Sequence, residues 1–296
     1  MDAIAKFAKI LRRPGVFKYS PMERTSIIVL VLLSAFMLLP IIYILNNAFK
    51  PYQELFVYPP NIFVQHPTIQ NFLELLSSTK NTAVPISRYV FNSALVTGLA
   101  VVSITLVSAM CAYAVSKMRF PGHKVVFLMI IVSLLFVPET VSIPRYLVVS
   151  HLGIFNTYWG HVLPLVAVPT GVFLMKQFID QLPDELLDSA RIDGAREFTL
   201  FLRIVMPMLW PAVATIGIIA FRSAWGETET STLFMQDDAM RTLPFYIETL
   251  TSGMANSVAR QGAAAAAALV LFLPNLIIFL IFQSKVISTM AHSGIK

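Results

Sequence analysis

The charged and small residues between 183 and 207 have the spacing of a short helix, a glycine turn and a second helix. Pro183 suits the first turn of a helix, and Asp184 and Glu185 suit the positive end of its dipole. Gly194 suits the position after a helix, where positive φ is often required. A helical pair of this kind offers a compact surface for recognising another protein rather than a site for bond-making chemistry.

The side chains of this segment fall into an apolar group and a charged group. The apolar residues that we expect to face a partner are Leu186, Leu187, Ala190 and Ala195, and the charges nearby are Asp188, Arg191 and Asp193. A second helix is predicted to run from Ala195 toward Pro207 and to lead into a membrane span.

The sequence offers no catalytic or metal-ligating pattern. The five histidines have no H-E-x-x-H or comparable ligand spacing, and neither a G-x-S-x-G nucleophile motif nor a G-x-x-x-x-G-K-[ST] phosphate loop occurs. We therefore expect no metal site, no catalytic residue and no nucleotide bound by this chain. An intramembrane enzyme is the weakest alternative, because it lacks candidate chemistry.

The composition requires a lipid environment for these elements. Of the 296 residues, 56% are hydrophobic and only 13% are charged, against about 25% in soluble domains. We expect an all-α polytopic membrane protein with six transmembrane helices. The predicted spans are Thr25–Phe49, Tyr89–Ser116, Val125–Pro138, Tyr158–Met175, Ile204–Phe221 and Gln261–Ser284.

The distribution of positive charge sets the expected orientation. With the N-terminus inside, fifteen of the 22 Lys and Arg residues fall on inner segments and six on outer segments. This bias predicts that both termini are cytoplasmic. The expected organisation is a cytoplasmic N-terminal segment over 1–26, a permease domain over 27–286 with a cytoplasmic loop at 183–206, and a cytoplasmic tail over 287–296. The net charge of +6 then reflects topology, and no nucleic-acid partner is expected.

The 183–207 segment resembles the EAA loop of ABC-importer permeases. Asp188-Ser189-Ala190 occupies the E-A-A positions, Asp193-Gly194-Ala195 matches D-G-A, and Ile204 with Pro207 matches I-x-L-P. Asp for Glu and Ser for Ala are the main departures. Further matches to the carbohydrate-importer branch, and to its maltose-type second permease, are Asn71-Phe72, Phe91-Asn92-Ser93, Ala112-Tyr113-Ala114, Phe120-Pro121-Gly122 and Ile143-Pro144.

The resemblance implies one subunit of a larger importer in the bacterial cytoplasmic membrane. Its partners would be a second permease, two cytoplasmic ATPase subunits that carry ATP and Mg, and an extracytoplasmic substrate-binding protein. The residues implied in ATPase coupling are Glu185, Asp188, Ser189, Ala190, Asp193, Gly194, Ala195, Ile204 and Pro207. The family's loop for contact with the binding protein corresponds by position to Ser252, Gly253, Met254, Ala255 and Asn256.

Four residues are candidates for the substrate path, each with a structural alternative. Glu139 either lies in a broken helix facing the path or marks the outer boundary. Arg222 either lines a cavity and contacts a sugar, or it extends outward to the membrane surface or pairs with Glu227. Trp225 either stacks on a sugar or belongs to the interfacial aromatic belt. Asn92 either contacts substrate or joins two helices by hydrogen bonds.

The function expected is inward movement of a sugar or oligosaccharide by alternating access. An importer of a non-sugar solute with the same coupling loop is an open alternative. An ion-driven secondary transporter is a further alternative, but intramembrane charge is sparse here. An acidic sugar is a possible substrate, since Arg145, Arg222 and Arg241 lie near the outer side.

Overall fold

In the computed structural model, every regular element of the described residues is helical. These residues are 20–59, 61, 63–77, 84–252 and 261–293. In chain order the helices are α1 (Pro21–Phe49), α2 (Tyr52–Leu55), α3 (Gln70–Ser77), α4 (Ile86–Lys117), α5 (His123–Ser133), α6 (Ser142–His151), α7 (Tyr158–Val166), α8 (Pro169–Ile179), α9 (Asp184–Ile192), α10 (Glu197–Met208), α11 (Trp210–Trp225), α12 (Glu229–Phe234), α13 (Leu243–Ser252) and α14 (Gln261–Ser293). The all-helical prediction is confirmed for this part of the chain.

Three helices, α1, α4 and α14, are each long and apolar enough to cross a membrane alone. Helix α1 begins with a capping box, in which Ser20 Oγ accepts the Glu23 N–H and Glu23 Oε2 accepts the Ser20 N–H. Up to five spans result if each of two bent helix pairs counts as one span. The number six therefore stays a prediction.

The two bent pairs break where proline removes backbone donors. Helices α7 and α8 meet at 52°, with Pro164 inside α7 and Pro169 at the start of α8. Helices α10 and α11 meet at 82° at Leu209. The predicted spans over 158–175 and 204–221 are thus bent rather than straight, because a proline cannot complete the helical hydrogen-bond ladder.

The third predicted span is also interrupted. Helix α5 ends at Ser133, whereas the prediction extended it to Pro138. A 3-10 turn, Pro138–Val141, follows and leads into α6, which contains Pro144 near its start. With only 11 residues, α5 is about half the length needed to cross a hydrocarbon core of about 30 Å.

Helix α4 is the centre of the packing. It contacts α7, α8 and α11, and its buried residues Ala100, Ile104 and Ala109 join the largest hydrophobic cluster. Helix α14 packs against α11 and also contacts α1 and α3. The small residue Ala266 lets α14 approach Ala48 of α1 closely, so both are fully buried.

Helix α3 fixes the C-terminal end of α1 through one amide. The Asn71 Nδ2 donates to the carbonyls of Ala48 and Lys50, each at 2.9 Å. These carbonyls lie at the C-terminal end of α1, where a helix leaves acceptors unpaired. Gly262 at the start of α14 leaves room for this amide, since a Cβ there would lie 2.6 Å from Asn71 Oδ1.

Candidate functional site

The 183–207 segment has the local structure that its sequence predicts. Helix α9 begins directly after Pro183 and has Asp184 and Glu185 in its first turn. Gly194 follows the helix with φ +83°, a left-handed conformation that strains other residues. The second helix begins at Glu197, contains one π-helical turn over Phe201–Val205, and ends at the bend before α11.

Most of the predicted coupling residues lie at the surface of this segment. The exposed ones are Glu185, Asp188, Ser189, Asp193, Gly194 and Pro207, and the half-buried ones are Ala190, Ala195 and Ile204. Ile204 packs against the large hydrophobic cluster around α4. The side chains of Ile192 and Phe198 add apolar surface, at 86% and 62% exposure. The segment therefore presents acidic and apolar groups together.

Leu187 corrects the expected apolar face. We expected it to face a partner, but it is only 1% exposed and belongs to the hydrophobic core that includes Phe201 and Met175. Its neighbour Leu186 is exposed. The reason is helical geometry, since adjacent residues point about 100° apart and one side of a short helix must pack on the body of the protein.

A chain of ion pairs joins α9 to α10. Arg191 donates from one terminal nitrogen to Asp188 Oδ1 at 2.8 Å and from Nε to Glu197 Oε1 at 2.9 Å. These carboxylates raise the pKa of Arg191 above its usual value, the Glu197 hydrogen bond being the larger cause. Asp188, which stands at the Glu position of the EAA pattern, is thus already paired within its own helix.

The C-terminal end of α4 completes this site, and sequence reasoning missed it. Tyr113 donates its hydroxyl proton to Glu197 Oε2 at 2.5 Å, and Lys117 Nζ contacts Asp184 Oδ1 at 2.6 Å. The Lys117 hydrogen bond and charge lower the pKa of Asp184. The available signal was the Ala112-Tyr113-Ala114 match, which by itself indicated no partner for the tyrosine.

These groups surround a cleft of about 540 Å³ between α9 and the turn that follows α4. Its lining is mostly polar and includes both signs of charge, with Arg119 on the turn and Asp188 on α9. Such a cleft suits charged side chains from another protein.

Asn92 is the best-defined of the four candidate substrate-path residues. It is fully buried, its Nδ2 donates to the carbonyls of Ala239 and Arg241 at 2.8 Å each, and its Oδ1 accepts the Tyr158 hydroxyl at 2.9 Å. All three contacts are within the chain. The geometry therefore favours the structural alternative, in which Asn92 joins helices, over substrate contact.

Other buried polar side chains near Asn92 also hold the segment between α11 and α13. His161 is fully buried, and its Nε2 donates to the Met240 carbonyl at 3.0 Å while its Nδ1 accepts from Thr230 at 2.9 Å. Ser93, beside Asn92, accepts the Leu243 N–H at 2.8 Å. Helices α4 and α7 thus fix this segment through side-chain hydrogen bonds.

Trp225 is likewise engaged within the chain. Its ring is 8% exposed and stacks on Phe221, with ring centroids 5.8 Å apart. Its Nε1–H donates to the Leu271 carbonyl at 3.1 Å. The indole therefore joins α11 to α14. This role differs from both alternatives considered for Trp225, stacking on a sugar and membership of the interfacial aromatic belt.

Unlike Asn92 and Trp225, the candidate residues Glu139 and Arg222 are exposed. Glu139 lies in the 3-10 turn between α5 and α6. No ion pair joins Arg222 to Glu227 in the part of the chain that the structure describes; Glu227 instead accepts the Thr230 N–H at 3.2 Å. The alternative in which Arg222 pairs with Glu227 is therefore not seen among the described residues.

Arg145 and Arg241, the other two arginines considered for an acidic sugar, have acidic partners. Arg145 contacts Glu229 at 3.0 Å, and Arg241 contacts Asp238 at 2.7 Å. The Arg241 guanidinium also lies 4.6 Å from the centre of the Phe245 ring.

The predicted contact loop for a binding protein is only partly described. Ser252 is the last residue of α13, and its hydroxyl donates to the Thr249 carbonyl at 3.2 Å. Gly253, Met254, Ala255 and Asn256 lie outside the described residues, as do residues 1–19 of the N-terminal segment and 294–296 of the tail.

Comparisons with known proteins agree on the class of this chain. AraQ, an arabinooligosaccharides transport system permease of Bacillus subtilis, is 30% identical over 90% of this chain and 93% of its own length. SmoH, a sulfoquinovosyl glycerol transport system permease of Agrobacterium fabrum, is 29% identical over 88% of this chain and 89% of its own.

The fold is similar to a chain of a bacterial ABC transporter involved in import of the acidic polysaccharide alginate. The TM-score is 0.74 at 20% identity, over 91% of this chain and 99% of that chain. Residues 123–284 match the family described as binding-protein-dependent transport system inner membrane component. That match contains both bent helix pairs and α9 between them, and the chain belongs to this family of ABC transporter permeases.

Proposed function

We propose that this chain is the permease subunit of an importer that moves a sugar or oligosaccharide into the cell. The curated relatives reported above are permeases named for arabinooligosaccharides and for a sulfoquinovosyl glycerol, and they align over most of their lengths. The observation that carries the proposal is the exposed 183–207 segment, which has the turn and the charges of a coupling loop.

The remaining subunits are proposed from the family. They are a second permease, two cytoplasmic ATPase subunits that bind ATP and Mg, and an extracytoplasmic binding protein that delivers the sugar. The proposed site is the bacterial cytoplasmic membrane, with six spans, both termini inside and α9 in the cytoplasm. The surplus of Lys and Arg on the segments assigned to the inside supports this orientation.

The mechanism follows from differential contact at residues 183–207, which we call the coupling segment. ATP draws the ATPase subunits together, and α9 moves with the surface on which it rests. Helix α10 leads into α11 through the bend at Leu209, so displacement of α9 reorients a membrane helix as a rigid body. The two ATPase states must grip α9 differently, because only a difference in binding free energy shifts the permease between inward and outward access.

Docking is tested by co-purification of the ATPase from detergent-solubilised importer. We expect Asp188→Asn and Gly194→Pro each to lower the ATPase recovered and the hydrolysis stimulated by the loaded binding protein. Glu248→Gln, which removes an exposed carboxylate of α13, serves as the matched control. Normal transport-coupled hydrolysis in both loop variants would reject the assignment of this segment.

The substrate class is tested separately in proteoliposomes that contain the whole importer. Neutral oligosaccharides, uronate oligosaccharides and a panel of amino acids and other non-sugar solutes are offered through the binding protein. Sugar uptake supports the proposal, and uptake confined to a non-sugar solute would replace it. Because Arg145 and Arg241 have acidic partners, Arg222 is the exposed cation to test for preference toward acidic sugars.

A further inference from the structure

Three polar side chains lie on one face of the last turn of α4. Tyr113, Ser116 and Lys117 are separated by three and four residues, the spacing that places helical neighbours side by side. Each reaches a different part of the chain between residues 180 and 197. We refer to these three residues as the α4 clamp.

Tyr113 forms the contact that reaches α10. The side chain is 4% exposed, and its ring packs against Phe201 with centroids 5.6 Å apart. Its hydroxyl donates to Glu197 Oε2, while Glu197 Oε1 accepts from Arg191. The tyrosine thus holds the carboxylate that holds the arginine of α9, so the contact extends from α4 through α10 to α9.

Ser116 and Lys117 form the contacts that reach the start of α9. The Ser116 hydroxyl donates to Asp180 at the end of α8. Lys117 Nζ donates to the Leu182 carbonyl at 2.8 Å and to Asp184 Oδ1 at 2.6 Å. The lysine side chain is 9% exposed, whereas that of Asp184 is 73% exposed. The mostly buried ammonium group of Lys117 therefore holds Asp184, the first residue of α9.

We propose that the α4 clamp is the positioning group that makes the coupling segment and α4 move as one body. This inference rests on the proposed function and deepens it by naming the membrane helix that receives the motion of the ATPase. Both ends of the 180–197 segment are tied to one helical turn, so α9 cannot tilt without α4. Because α4 packs against α7, α8 and α11, its motion reaches the bent pairs.

The first test separates docking from transmission in the complete importer. We expect Tyr113→Phe with Glu197→Gln to retain the co-purified ATPase but to lower sugar transported per ATP hydrolysed by about fivefold to tenfold, the size of a typical coupling effect. Lys117→Met is expected to act in the same direction. Lys124→Gln, an exposed cation in the first turn of α5 outside the cleft, is the matched control.

The second test asks whether the clamp stays closed during transport. Cysteines are introduced as Ser116→Cys and Asp180→Cys after the native Cys111→Ala change, and are joined by a disulfide or a short bifunctional reagent. A closed clamp predicts that the cross-linked importer keeps at least about half of its transport. It also predicts that the link restores coupling to the double variant Tyr113→Phe with Glu197→Gln. Loss of transport on cross-linking, reversed by reduction, would overturn the proposal.

The two proposals fail in different ways. An unaltered complex that neither retains an ATPase nor moves sugar would refute the proposed function. The clamp is then still judged in the isolated chain, where efficient cross-linking of the 116 and 180 cysteines supports the geometry and failure to cross-link refutes it. Suppose that the unaltered complex and the Tyr113, Glu197 and Lys117 variants all transport the same amount of sugar per ATP hydrolysed. That result would support the proposed function and refute the role of the α4 clamp.

Discussion

Replacement of Asn92 by alanine distinguishes a structural role from substrate contact. The side chain has no exposure and makes three hydrogen bonds, two to carbonyls of the 239–241 segment and one from the Tyr158 hydroxyl. Asn92→Ala removes all three and leaves the buried groups without partners. We therefore expect a loss of stability rather than a selective loss of sugar affinity.

The magnitude follows from the number of bonds and their surroundings. Neutral hydrogen bonds contribute about 1 kcal/mol each in soluble proteins and about 0.6 kcal/mol each between membrane helices. Three bonds give a decrease of about 2–3 kcal/mol in the free energy of unfolding. At about 2–4 °C per kcal/mol, the unfolding midpoint in detergent should fall by about 4–12 °C.

Asn275→Ala provides the matched control, because it removes another asparagine from an apolar helix. Asn275 Nδ2 donates only to the Leu271 carbonyl of its own helix, and its Oδ1 has no hydrogen-bond partner in the described part of the chain. We expect a shift of at most about 2 °C.

The assay is thermal unfolding of the purified chain, run alongside sugar uptake by the reconstituted importer. The reasoning is refuted if Asn92→Ala leaves the midpoint unchanged while the KM for sugar rises several-fold. That result would support the alternative in which Asn92 contacts the substrate. Equal destabilisation by both asparagine variants would also contradict the argument, because it would show that the three contacts of Asn92 add nothing.

Three further substitutions test individual contacts. Gly262→Ala places a Cβ 2.6 Å from Asn71 Oδ1 and should destabilise the chain by about 1–3 kcal/mol in thermal unfolding, whereas Gly98→Ala, with no atom within 4 Å of its Cβ, should be neutral or stabilising. Gly194→Ala forces a side chain onto φ +83° at a cost of about 1–2 kcal/mol, and less ATPase should co-purify. Trp225→Phe keeps a ring in place but loses the indole hydrogen bond to α14, so stability should fall by about 0.5–1.5 kcal/mol; no change would mean the bond is redundant.

The features that depend only on residues close together in the sequence could be predicted. Apolar runs indicated α1, α4 and α14, since length and hydropathy decide whether a helix can span a membrane. The start of α9 after Pro183 and the positive φ of Gly194 followed from propensities of single residues. The exposure of Leu186 and Asp188 on α9 also agrees with the prediction from the sequence, whereas the burial of Leu187 does not.

The bends and the long-range contacts could not be predicted in the same way. Prolines mark where the bent spans break, but the size of the angle, 82° at Leu209, depends on how the two helices pack. Likewise, Tyr113 and Glu197 are 84 residues apart, so their contact exists only after α4 and α10 are placed in space. Leu187 was assigned to the wrong side because periodicity gives the faces of a helix without saying which one is buried.

The contact between α1 and α14 has a consequence for biosynthesis. Ala48 and Ala266 are roughly 220 residues apart, and at about 5–20 residues per second the ribosome needs about 10–40 s to make the intervening chain. Until α14 is synthesised, the C-terminal end of α1 lacks the surface on which Ala48 packs, and the Asn71 amide lacks its contact with Gly262. We therefore expect nascent chains to depend on an insertase or chaperone during this interval, and slowing of elongation before α14 to increase proteolysis at the loop after α1.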